Sequence, residues 1–117
     1  MGEPSVFNRL ERLELEDWAI SSIVFAELQF GLEKGQLRPT SAEGLERFLA
    51  FAPVANFDRS AAAKAAWVRA ELERLGKPAG AIDQLMAGQA LDLGVTLVTR
   101  NTRHFKDVPE LKLESWI

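Results

Sequence analysis

Two carboxylates stand where an acid could do chemistry. Glu27 falls early in a helical stretch whose neighbouring positions, Val24, Leu28 and Leu32, are apolar, which predicts partial burial; Asp83 falls in the first turn of a second stretch, after Gly80-Ala81-Ile82. Each has an ordinary reading: a carboxylate near a helix N-terminus gains about 0.3–1 kcal/mol from the dipole, or caps the helix. The chemical reading is that they ligate a metal ion. Thr99 and Asn101 follow an apolar run, where ligand contacts gather in open α/β sheets, although both residue types also form turns. Arg100, Arg103, His104 and Lys106 make a local basic patch that suits phosphates and equally suits a solvated loop. His104, the sole histidine, could act as acid, base, phosphate contact or metal ligand, or stand as an exposed loop residue. With no cysteine, thiolate zinc sites and disulfides are excluded. The serines occupy cap-like places without a His or Asp at triad spacing, and no Gly-rich phosphate loop is present.

The elements that must position these groups alternate in type. Pro4, Val6, Phe7, Leu10 and Leu13 predict a short amphipathic helix. Trp18-Ala19-Ile20 predicts a brief strand running into a helix capped by Ser21 or Ser22, with Val24, Phe25, Leu28 and Leu32 as its stripe and Gly35 at its end. Ser41, Leu45, Phe48 and Leu49 mark another helix, stopped by Pro53 before a strand candidate at 54–57. Asp58 is placed to cap a helix over 61–75, closed by Gly76. Lys77-Pro78-Ala79-Gly80 is a turn, and a helix over 81–93 ends at Gly94. Gly88, among the small residues of that helix, predicts close packing against a sheet. The clearest strand is 95–98; a turn around Phe105 and an edge strand over 111–113 precede Trp116. The pattern predicts one α/β domain over 1–117, with a short, mainly parallel sheet flanked by helices.

Composition narrows the class further. The chain has 117 residues, 47% hydrophobic and 26% charged, within the range of one globular domain. Its net charge of −3 argues against a general nucleic-acid binder, so any nucleic acid must be held locally. No apolar run approaches the ~20 residues of a membrane span and no leader pattern opens the chain, so the expectation is a soluble, cytoplasmic protein.

The segments in combination resemble one family. Ile20-Ser21-Ser22, Glu27 and Gly31 are similar to the first helix of the VapC-type PIN-domain ribonuclease toxins. Arg69-Ala70-Glu71-Leu72, Gly76-Lys77-Pro78, Asp83-Gln84-Leu85-Met86-Ala87-Gly88, Thr99-Arg100-Asn101-Thr102-Arg103-His104-Phe105 and Leu113-Glu114-Ser115-Trp116 follow in that family's order. The resemblance implies a PIN-like fold and a magnesium- or manganese-dependent endoribonuclease, paired with a cognate antitoxin and homodimeric. It places Glu27 and Asp83 at two acidic ligand positions and Asn101 at a polar position beside them; Thr99, Arg100 and Arg103 are candidates for substrate or supporting contacts. Two carboxylates about 4 Å apart repel by about 4 kcal/mol at an effective dielectric of 20, so a shared cation makes their convergence tolerable. Water made acidic by that ion would attack the phosphodiester.

The chain also departs from the pattern. The family opens with a strand and an Asp-Thr-Asn motif that nothing before Gly2 supplies, so the expectation is a missing first strand and a missing first acidic ligand. Where many relatives carry a further acid before the last motif's phenylalanine, this chain has His104, and Asp107 aligns with no ligand position. The alternative expectation is therefore an inactive module whose aromatic surfaces around Phe25, Phe30, Phe48 and Trp67 hold an antitoxin or another toxin chain.

Overall fold

Helix boundaries follow local capping chemistry throughout the computed structural model, which describes residues 13–115. Strand β1, Ile20–Ser21, turns directly into helix α1, Ser22–Glu33. The Ser21 hydroxyl accepts a hydrogen bond from the Ile23 amide at 3.0 Å, satisfying one of the amides that a helix start leaves without a partner. Helix α2, Pro39–Phe51, starts ahead of Ser41 because proline at the first helical position has no N–H to satisfy. It stops at Ala52, before Pro53, and strand β2, Val54–Ala55, follows. Asp58 caps helix α3, Arg59–Arg74, its carboxylate accepting from the Ala61 amide at 2.9 Å. Helix α4, Ala81–Leu93, ends on Gly94, whose φ of 68° is the left-handed turn that a side chain would resist.

Strand β3 is shorter than its apolar run, covering Leu97–Val98 only, and strand β4 occupies Leu113–Glu114 rather than 111–113. A 3-10 turn, Thr102–His104, lies between them, and another, Leu15–Asp17, precedes β1. Both observed strand pairs are parallel, as expected, with Ile20 opposite Val54 and Leu97 opposite Leu113. Among the described residues they are two separate two-stranded ladders rather than one sheet. The helix expected from Pro4 onward, apart from Leu13, and the Trp116 ending lie outside the described residues.

The chain divides into two compact units. The unit within Leu10–Asn56 holds β1, α1, α2 and β2. Its buried residues are Phe48, Leu49 and Ala52, with Trp18 stacked on Phe48 at a centroid distance of 5.9 Å. Helix α1 has no fully buried residue. The other unit, from Phe57 onward, holds α3, α4, β3 and β4 around a core of Val68, Leu72, Ala87, Phe105 and Val108. Trp67, Leu91, Leu97, Leu111 and Leu113 pack on that core. The close packing expected of Gly88 is present, but its partner is a helix and not a sheet. A β-carbon there would stand 2.7 Å from the Ala65 β-carbon and closer still to the Ala65 backbone. Helices α3 and α4 therefore meet nearly backbone to backbone, which fixes where α4 begins and so where Asp83 stands.

Candidate active site

Asp83 occupies the third position of α4, behind Gly80 and Ala81-Ile82, and is the acid of that helix's first turn. No side chain caps this helix start, so the Asp83 carboxylate and the helix dipole face one another. The side chain keeps 29% of its surface exposed. Gln84, next to it, ties the helix to the preceding turn by donating to the Ala79 carbonyl at 3.1 Å.

The loop after β3 reaches the same place. Thr99 continues the strand, its amide donating to the Glu114 carbonyl, and its hydroxyl accepts from the Asn101 amide at 3.1 Å. The Thr99 side chain thus closes a local turn that leads into Thr102–His104. Phe105, 3% exposed, pins the end of that turn in the core. The result is that His104 Nδ1 lies 3.6 Å from Asp83 Oδ2. Sequence reasoning left His104 open between an exposed loop residue and a chemical one; it is both exposed and beside the acid. The available signal was its place in the loop beyond the clearest strand. Arg100, Asn101, Arg103 and Lys106 are exposed on the same loop. Asp107, which matched no ligand position, instead pairs with Lys77 at 3.8 Å.

Glu27 belongs to the other unit, on the second turn of α1, and is exposed. The partial burial expected from its apolar neighbours is not found: Val24, Leu28 and Leu32 are half-buried, while Ala26 and Glu27 face outward. Phe48 is a second correction, since it is 4% exposed and is no part of an aromatic docking surface; Phe30, 62% exposed, is the most open of the four aromatics proposed for one.

What these groups can hold follows from their chemistry. Among the described residues no three or more His, Cys, Asp or Glu side chains assemble into a metal-holding group. Asp83 and His104 are a pair, with Asp83 partly in solvent. The single Asp83 carboxylate fits a divalent ion that keeps most of its waters, and the His104 imidazole stands beside it as a nitrogen donor. Among the described residues no helix is long and apolar enough to cross a membrane.

Two parallel ladders, the first with helices α1 and α2 between its strands, and an acid at the start of α4 faced by the loop after β3 define an α/β class, and the sequence places the chain within it. The chain belongs to the PIN domain family, whose profile matches residues 3–111. Within that family it is of the VapC type. It is 40% identical over 97 residues to the tRNA(fMet)-specific endonuclease VapC of Shigella flexneri, covering 83% of this chain and 74% of that protein. It is 38% identical over 113 residues to ribonuclease VapC2 of Rickettsia felis, covering 96% of this chain and 84% of that protein. Among solved structures, DNA-bound VapBC from Salmonella typhimurium superposes with a TM-score of 0.85 at 35% identity, over 98% of this chain and 86% of that one. VapBC2 from Rickettsia felis, bound to a promoter DNA fragment, gives 0.84 at 37% identity, over 98% and 87%.

Proposed function

We propose that this chain is the metal-dependent endoribonuclease toxin of a toxin–antitoxin pair. The observation that carries the reading is its likeness, over nearly its full length, to proteins named as VapC ribonucleases and to VapC held in VapBC complexes. Glu27 and Asp83 are the carboxylates assigned to a magnesium or manganese ion. Such an ion, when bound, supplies charge stabilisation at the scissile phosphate and acidifies water.

The protein's own groups do the rest. Asp83 is fixed by the start of α4, so its carboxylate is preorganised rather than recruited. Arg100 and Arg103, exposed on the loop beside it, hold RNA phosphates; the Thr99 hydroxyl shapes that loop, and Asn101 presents its side chain there. The cognate antitoxin covers this site in the resting complex, and the toxin assembles as a homodimer in the cytoplasm.

The test is cleavage of RNA by the purified chain in magnesium or manganese, with ion binding followed by calorimetry. Asp83→Asn and Glu27→Gln are each expected to lower cleavage by at least about a hundredfold, consistent with loss of a charge-stabilising group, while leaving the thermal melt in place. A fully active Asp83→Asn variant overturns the reading.

A further inference from the structure

His104 is the one group at this end of α4 that an all-carboxylate site does not need. Its Nδ1 is 3.6 Å from Asp83 Oδ2, beyond the roughly 2.7–3.2 Å of an N–H···O hydrogen bond. It lies in ion-pair range and a few tenths of an ångström above the spacing of two donors sharing one cation. Donors about 2.1 Å from an ion stand about 3.0 Å apart at a right angle and about 3.4 Å apart at a tetrahedral one.

The two donors come from separately anchored backbone. Asp83 is set by α4, which Gly88 locks against α3. His104 is set by the 3-10 turn, where its amide donates to the Asn101 carbonyl at 2.9 Å, and by buried Phe105 next to it. The imidazole itself is 54% exposed, so solvent rather than packed side chains borders much of the ring.

Resting on the metal-dependent reading above, we infer that His104 places a nitrogen donor beside the Asp83 carboxylate, so that the ion site selects manganese over magnesium. Carboxylate, carbonyl and water suit magnesium, which demands near-ideal octahedral oxygen coordination and sheds water reluctantly. Manganese also takes oxygen ligands, but as a divalent transition ion it accepts an imidazole nitrogen that magnesium binds hardly at all, so a mixed nitrogen–oxygen pair raises the manganese-to-magnesium ratio. The competing role for His104 is that of a protonated counter-charge that shields Asp83 from any cation alike.

The experiment is binding of manganese chloride and, separately, magnesium chloride to the full chain by calorimetry, with pulsed electron paramagnetic resonance on the manganese-loaded protein to detect nitrogen-14 coupling. The variants are His104→Asp, His104→Gln and Asp83→Asn, each checked by thermal melting. The expected result is nitrogen coupling in the unmodified chain and none in either His104 variant. In His104→Asp the manganese-to-magnesium affinity ratio is expected to fall about tenfold, the scale on which groups supporting a metal site act. Manganese bound without nitrogen coupling, or both affinities changing in equal proportion in His104→Asp, overturns the proposal and leaves the metal-dependent reading standing. No manganese binding, or binding indifferent to Asp83→Asn, overturns both.

Discussion

Asp83 and Gly88 lie on the same helix, and the role of one depends on the other. Gly88 lets α4 approach Ala65 of α3 more closely than any side chain allows, and that approach sets the position of the first turn where Asp83 sits. Gly88→Ala is therefore expected to cost about 1–3 kcal/mol, the usual range for overpacking, read as a lower midpoint in urea. Because α4 must then shift, ion affinity at Asp83 is expected to fall in the same variant even below the denaturation midpoint. The deeper core gives a cleaner control. Leu72 is 1% exposed among Val68, Ala87 and Phe105, and Leu72→Ala is expected to lose about 2–5 kcal/mol of stability, measured by the same titration.

At the scale of elements, short segments are held by their ends more than by their length. Helix α3 carries an Asp58 cap, the start of α1 a Ser21 cap, and α4 has no side-chain cap at all. Asp58→Ala is expected to destabilise the chain by about 1 kcal/mol, since the Ala61 amide loses its acceptor. Thermal melting checks this against Asp58→Asn, which keeps the acceptor and should recover most of the loss. At α4 there is no capping side chain, and Asp83 is the acid of the first turn. The strands are two residues each in β1, β2, β3 and β4, so their ladders contribute few hydrogen bonds. Their main effect is to set where the following loops leave, as Thr99 shows on leaving β3.

The whole molecule carries a net charge of −3, so it offers RNA no general attraction. On the proposed function, RNA is held by the exposed loop carrying Arg100, Arg103 and Lys106. If those three groups each neutralise one phosphate of a single strand, the logarithm of affinity should fall with that of salt with a slope of about −2. Fluorescence anisotropy on a single-stranded RNA measures it, and Arg103→Ala should make the slope shallower by about 0.7. A slope many times steeper would mean that other basic residues hold the RNA.

The sequence by itself determined the four described helices, the parallel α/β class and the family, and it nominated the two acids of the proposed chemistry. It could do so because caps, left-handed glycines and apolar periodicity act over four or five residues, all visible in order along the chain. Asp58, Gly35, Gly76 and Gly94 each end or begin a helix as their types require. The tertiary structure decided what depends on distant segments. It paired Ile20 with Val54 and Leu97 with Leu113, trimming the strands to the residues that find partners. It turned Gly88 toward a helix, buried Phe48 against Trp18, left Glu27 exposed and brought His104 to Asp83. Apolar spacing gives the face on which a side chain lies but not what packs there, and a loop's residue types do not give the path by which it returns to a helix start.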